Sequence, residues 1–126
     1  ISMAASVEAL NGSQKFIEEH NKKFIYRRDM VVKKLNEIEG ISCQIPEGAF
    51  YVYPNCNGII GRKTNEGKEI RNDEDFMNYL LEAEGVAGVQ GDAFGLSPYF
   101  RLSYATSEEI LEEACNRIMK ACRALK

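Results

Sequence analysis

The sequence predicts a small α/β domain of the α+β type, in which helices cover one side of a small, mostly antiparallel sheet. Its 126 residues, 44% of them hydrophobic, suffice for one core, whereas two domains would each be too small. Apolar residues at helical spacing begin and end the chain, and short apolar runs bounded by glycine and proline fill its middle. We therefore treat residues 1–126 as a single domain with a long N-terminal helix and an amphipathic C-terminal helix.

The first third of the chain is predicted to form two helices, separated by the turn-prone pair Asn11-Gly12. The second is a long helix over 13–39, with Ser13 as its N-cap and Gly40 in the left-handed position after its end. The apolar face of the first helix consists of Met3, Val7 and Leu10. The stripe of the second consists of Ile17, Phe24, Val31, Leu35 and Ile38.

Two strands and a loop are predicted next. Residues 41–45 alternate apolar and polar side chains until Pro46 stops the run. The segment "EGAFYVYP", rich in aromatic and β-branched residues, forms the second strand after a hinge at Gly48. Residues 55–72 contain three glycines and many charges, which indicates an unusually long surface loop that is either mobile or functional.

The second half is predicted to contain two helices around two strands. The first helix is capped by Asn72 or Asp73 and ends at Gly85. "VAGV" is a short buried strand, and "YFRLSYAT" follows as a strand after the loop "QGDAFGLSP". Thr106 and Glu109 form a capping box for the last helix. The apolar faces are Phe76, Leu80 and Ala83 in the first helix, and Ile110, Ala114, Ile118, Ala121 and Leu125 in the last.

Composition excludes several classes of function. A formal charge of -3 without a dense Lys/Arg block argues against a nucleic-acid partner. No apolar run is long enough for a bilayer span, and the first residues lack the pattern of a signal peptide. Four cysteines without a C-x-x-C pair and a single histidine predict no metal site. We expect reduced, structural cysteines in a cytoplasmic protein.

Arg101 is the candidate functional residue. Phe100, Leu102 and Tyr104 point to one face of the last predicted strand, so Arg101 points to the other. Its guanidinium matches a carboxylate in forked geometry. The alternative is an arginine on a solvated sheet face that pairs with a nearby Asp or Glu. The glycine-rich "GVAGVQGDAFG" is neither a Walker nor a Rossmann pattern, and the chain contains no recognisable nucleophile with its acid–base partner.

Three motifs in this order, "PEGAFYVYP", "GVAGVQGDAFG" and "YFRLSYAT", resemble the class I aminotransferases of pyridoxal phosphate (PLP) fold type I, above all the aspartate aminotransferase group. "AASVEALNG" is similar to the helix beyond the active-site lysine in that family, so the resemblance covers essentially the whole chain. It implies a carboxy-terminal small domain whose partner is the large PLP-binding domain of the same chain. Arg101 matches the arginine that binds the substrate α-carboxylate. Gln90 and Gly88 depart from the family pattern, which usually has a proline before the loop glycine and a larger residue ahead of it.

The resemblance also implies what the complete protein does. It would transfer an amino group between an amino acid, expected to be aspartate, and a 2-oxo acid, as a homodimer that binds PLP. No residue of this chain matches the catalytic lysine or a cofactor-binding group, so the chain alone is expected neither to bind PLP nor to transaminate. Within enzymes, the alternative is a prephenate or aromatic aminotransferase. Outside them, it is a non-catalytic α/β module that binds an amino acid or a protein partner.

Overall fold

The computed structural model describes residues 1–126. It contains four α-helices, three short strands and a 3-10 helix between the second and third strands. In chain order the elements are α1 Ser2–Asn11, α2 Lys15–Asn36, β1 Tyr51–Val52, α3 Asp73–Glu84, β2 Val89–Gln90, the 3-10 helix Gly91–Phe94, β3 Phe100–Ser103 and α4 Glu108–Ala124. None of these helices has the length and hydropathy that a membrane span requires.

The three strands form one antiparallel sheet in the order β1-β3-β2. Val52 and Phe100 are fully buried and belong to the same core cluster as residues from α2, α3 and α4. Tyr51 and Arg101 lie at the alternating positions of their strands, face away from that core and stay partly exposed. The predicted α+β class, with an antiparallel sheet covered by helices on one side, is confirmed.

Helix α4 packs a stripe that differs in part from the predicted one. Ile110 is 59% exposed, while the neighbouring Leu111 is buried. Both stripes share Ile118, Ala121 and Leu125, so residue spacing alone does not choose between them. The packing of α4 against α2 and α3 makes the choice. The buried residues within α4 are Leu111, Cys115, Ile118, Ala121 and Cys122.

The N-cap of α4 was also predicted one residue too early. Ser107, not Thr106, caps the helix, and its hydroxyl accepts a hydrogen bond from the Ile110 N–H at 3.4 Å. Thr106 and Ser107 are adjacent and chemically equivalent as caps, so the sequence offered two starts. The cap of α3 was predicted correctly, because Asn72 accepts from the Asp75 N–H and Gly85 ends the helix in the left-handed conformation.

Helix α2 is shorter than predicted at both ends. It begins at Lys15 and ends at Asn36, instead of spanning 13–39. Gly40 does adopt a positive φ of 93°, but in the turn that follows the helix. There it crosses Gly58 so closely that a Cβ on Gly58 would lie 2.5 Å from the Gly40 Cα. The first half of the helix is exposed, since only Val31, Val32 and Leu35 of α2 are buried.

Two other segments differ from prediction. Residues 41–45 form a single bridge, between Ser42 and Asn55, instead of a strand, and Ile45 is 61% exposed. Residues 55–72 are irregular, as predicted, but they contribute to the core instead of lying only on the surface, since Cys56, Ile59 and Ile70 are completely buried. A few apolar side chains in a polar segment therefore sufficed to anchor it.

Candidate functional site

Arg101 lies in the middle of β3, the central strand of the sheet. It is opposite Val89 in the register with β2, and Tyr51 of β1 is opposite Ser103. Phe100 anchors the strand because its side chain is fully buried and packs edge-to-face on Phe76 of α3, with ring centroids 5.5 Å apart. The strand therefore presents the guanidinium from a fixed backbone, on the face that the helices leave uncovered.

Aromatic rings, and no carboxylate, surround the guanidinium of Arg101. Its Cζ lies 4.4 Å from the centroid of the Phe94 ring and 5.4 Å from that of the Tyr51 ring. The chain contains seven ion pairs, and Arg101 takes part in none of them. The surface ion pair that was the alternative interpretation of Arg101 is therefore not formed. A partly exposed cation without an internal counter-ion is available to an external anion.

The 3-10 helix brings Phe94 to Arg101. It is closed by hydrogen bonds from the Gly91 N–H to the Tyr99 carbonyl at 2.7 Å and from the Leu96 N–H to the Gly91 carbonyl at 3.1 Å. Tyr53 also donates its hydroxyl to the Gly91 carbonyl at 3.1 Å. Gly91 leaves no room for a side chain, because a Cβ there would approach the Leu96 and Tyr99 carbonyl oxygens below normal contact distance. The turn is thus tightly packed where it meets β3.

A buried carboxylate ties this turn to α3. Asp73 is the buried charged residue of the chain, with 1% of its surface exposed. Its Oδ2 accepts from the Asp92 N–H at 2.8 Å, and its Oδ1 accepts from the Ser97 hydroxyl at 2.6 Å. Both oxygens are therefore occupied within the chain, and each bond has the strength of a charge-assisted one. Asp73 is a structural anchor of the turn that carries Phe94.

Tyr53 completes the aromatic side of the site. Its ring stacks on Tyr99 at 5.6 Å and meets Phe94 edge-on at 6.3 Å. Burial raises the pKa of Tyr53 above its ordinary value, the charge of Asp73 adds to the increase, and Arg101 partly opposes it. The hydroxyl therefore stays protonated at neutral pH and remains a donor to the Gly91 carbonyl.

The sequence singled out Arg101 as a candidate but not the residues around it. Tyr51 and Tyr53 occupy alternate positions of "EGAFYVYP", on the face opposite the buried Val52. That alternation was a usable signal for aromatic residues on the face of Arg101. Asp73 gave no such signal, because an aspartate at the start of a helix is already explained as a helix cap.

Comparison with known proteins identifies the family. Residues 1–118 match the family model described as aminotransferase class I and II. A probable aspartate/prephenate aminotransferase of Rhizobium leguminosarum bv. phaseoli is 61% identical over 126 residues, which are 100% of this chain and 32% of that protein. An aspartate aminotransferase of Rhizobium meliloti (strain 1021) is 56% identical over 99% of this chain and 30% of its own length.

Solved structures show the same relationship. The crystal structure of the aspartate aminotransferase from Rhizobium meliloti superposes with a TM-score of 0.97 at 55% identity, over 99% of this chain and 31% of that one. An aspartate aminotransferase from Thermus thermophilus, solved with maleate, gives a TM-score of 0.79 at 34% identity, over 93% of this chain and 28% of that one. The chain belongs to the aminotransferase class I and II family. It spans about a third of the length of the curated relatives it matches.

Proposed function

We propose that residues 1–126 are the carboxy-terminal small domain of a longer, PLP-dependent aminotransferase. In that enzyme an amino group passes between an amino acid, with aspartate as the expected substrate, and a 2-oxo acid. Family membership and relatives named aspartate or aspartate/prephenate aminotransferase support this assignment. The complete protein is proposed to be a homodimer in the cytoplasm, and the large domain of the same chain is the partner of this one.

The main observation in support of the proposal is that the guanidinium of Arg101 has no counter-ion within the chain. Its guanidinium lies on the uncovered face of the sheet, against two rings, without an ion pair in its own chain. A guanidinium binds a carboxylate through two parallel N–H donors, which fixes the orientation of the bound group as well as its position. We assign Arg101 to the α-carboxylate of the amino-acid and 2-oxo-acid substrates.

The residues of this chain do not by themselves fit PLP. None of the residues that form the Arg101 site is a lysine, and both oxygens of the nearby buried Asp73 are taken by hydrogen bonds within the chain. The groups that hold the cofactor are therefore assigned to the large domain. The contribution of this chain is to bind the substrate and orient it: a carboxylate held at two oxygens has little rotational freedom left, which lowers the entropic cost of reaching the reactive geometry.

A second candidate within the enzyme class is prephenate as amino-group acceptor. Relatives named aspartate/prephenate aminotransferase favour it, and the partly exposed rings of Tyr51 and Phe94 beside Arg101 offer apolar surface to a cyclic substrate. Both candidates use Arg101 in the same way, since both substrates carry the carboxylate that it binds.

Steady-state kinetics of the complete gene product tests the proposal. Arg101→Ala should lower kcat/KM for L-aspartate by roughly 30- to 5,000-fold. This factor corresponds to a loss of about 2–5 kcal/mol of transition-state stabilisation. Arg101→Lys should recover part of the loss, because an ammonium cannot make the forked contact. Arg123→Ala, which removes an exposed arginine of α4 that takes part in none of the seven ion pairs, serves as control and should stay within about twofold.

Two results would overturn the proposal. A change below about threefold for Arg101→Ala would remove the carboxylate-binding role. Absence of transamination by the complete, PLP-loaded protein would exclude the enzyme and favour the non-catalytic module. In that case, calorimetry should show amino-acid binding to the chain without PLP.

A further inference from the structure

The two rings beside Arg101 differ in distance but share one geometry. The guanidinium carbon lies over the face of the Phe94 ring at 4.4 Å and over that of Tyr51 at 5.4 Å. Both distances fall within the roughly 6 Å over which a ring face attracts a cation. Both rings are also partly exposed, Phe94 by 51% and Tyr51 by 38%, so the core does not account for their position.

A ring face holds a guanidinium differently from a carboxylate. The N–H donors of the guanidinium point outward in its own plane, and a carboxylate partner would occupy two of them. A ring face attracts the cation through its quadrupole, and the face itself brings neither a negative charge nor a lone-pair acceptor in competition with a ligand. Two rings can therefore restrict the motion of the side chain while its donors remain free.

The backbone of the 3-10 helix and that of β1 hold the two rings in place. Phe94 ends the 3-10 helix, whose Asp92 N–H is held by the buried Asp73 and whose Gly91 carbonyl accepts from Tyr53. Tyr51 lies in β1, directly opposite Ser103 of β3. Each ring thus belongs to a backbone segment that is bonded to its neighbours without the help of the Arg101 side chain.

We infer that Phe94, with Tyr51 as the second ring, is a positioning residue for Arg101: its ring face holds the guanidinium in the orientation that receives a carboxylate and leaves the N–H donors free. This inference rests on the proposed function, because it assumes that Arg101 binds the substrate carboxylate. It adds that part of the affinity for the carboxylate depends on residues that do not touch the carboxylate.

A double-mutant cycle in the complete PLP-loaded protein tests the inference, with the dicarboxylate maleate as the probe. The dissociation constant of maleate and kcat/KM for L-aspartate are measured for wild type, Phe94→Leu, Arg101→Ala and the double variant. Phe94→Leu should weaken maleate binding by about two- to fivefold, the scale of an exposed cation–π contact. In the Arg101→Ala background the same substitution should have no further effect, because the cation on which the ring acts is gone.

Two further variants separate positioning from a general structural role. Phe94→Trp keeps an aromatic face and should retain binding within about twofold, whereas Leu keeps only the apolar volume. Phe16→Leu is the matched control, since Phe16 is another phenylalanine that is 54% exposed, with His20 as its ring partner. It should leave maleate binding unchanged. If Phe94→Leu does not fold, the same cycle is run with Tyr51→Leu.

The outcomes distinguish this inference from the proposed function. If Arg101→Ala alone leaves maleate binding unchanged, the proposed function fails and the inference with it. If Arg101→Ala weakens binding but Phe94→Leu has no effect, or has the same effect in both backgrounds, the proposed function stands and the inference is wrong. Equal losses for Phe94→Trp and Phe94→Leu would likewise overturn it.

Discussion

Asp73 offers the sharpest test of how the turn beside Arg101 is held. Asp73→Ala removes two hydrogen bonds to a buried carboxylate, from the Asp92 N–H and from the Ser97 hydroxyl. Bonds to a charged group contribute about 1.5–3 kcal/mol each, and the desolvation of the carboxylate, which the substitution abolishes, offsets part of that. Both bonds are only partly buried and the relieved desolvation offsets part of their contribution, so we take the lower end. The expected loss is about 3 kcal/mol of unfolding free energy.

Asp73→Asn should lie between wild type and Asp73→Ala. The amide oxygen still accepts one of the two bonds but lacks the charge, so we expect a loss of about 1.5 kcal/mol. Asp92→Ala is the matched control. It removes a carboxylate from the same turn but keeps the backbone N–H that Asp73 binds, and should stay within about 0.5 kcal/mol.

The assay is urea unfolding followed by far-ultraviolet circular dichroism, where a shift in midpoint at constant slope reports stability. Double-mutant analysis with Ser97→Ala separates the two bonds, since the pair should be non-additive. The reasoning would be refuted if Asp73→Ala stayed within about 0.5 kcal/mol of wild type, or if Asp92→Ala lost as much.

Two other predictions concern a close backbone crossing and the buried cysteines. Gly58→Ala should lower the free energy of unfolding in urea by about 1–3 kcal/mol, because the new Cβ would meet the backbone of Gly40 at 2.5 Å. Gly48→Ala is the control: a Cβ there has nothing within 4 Å, so this variant should be neutral or slightly stabilised. Equal effects of the two substitutions would contradict this prediction. Burial raises the pKa of Cys56 and of Cys122 from 9.0 to about 12. At pH 8 the thiolate fraction of these cysteines should therefore be about a thousandfold lower in the native protein than in the unfolded protein. The native thiols should react with a disulfide reagent correspondingly more slowly. Native and urea-unfolded rates that agree would disprove the second prediction.

Much of the fold could be predicted from local patterns. The cap at Asn72 and the left-handed Gly85 lie where residue chemistry placed them, since a side-chain acceptor and a missing Cβ act within one turn of the backbone. The alternation in β3 correctly placed Phe100 in the core and Arg101 on the opposite face. These features depend on neighbours in sequence, so a single chain is enough to recognise them.

Other features depended on partners that are distant in sequence. The stripe of α4 was ambiguous until α2 and α3 packed against it, and the buried Ile59 and Ile70 fix a segment that composition assigned to the surface. The close crossing of Gly40 and Gly58 has no local signal at all.

The candidate site also combines a residue that local sequence patterns indicate with surroundings that depend on distant parts of the chain. Arg101, its cation, could be proposed from the sequence, because a charged residue within an alternating strand is conspicuous and the surrounding motif resembles one family. The alternation of Tyr51 and Tyr53 gave a signal for part of its surroundings, but only the tertiary structure shows that Phe94 approaches from a turn that Asp73 of α3 holds in place. The hydrogen bonds of Asp73 to residues 19 and 24 positions away leave no periodic trace in the sequence, and they hold the turn that brings Phe94 to the guanidinium.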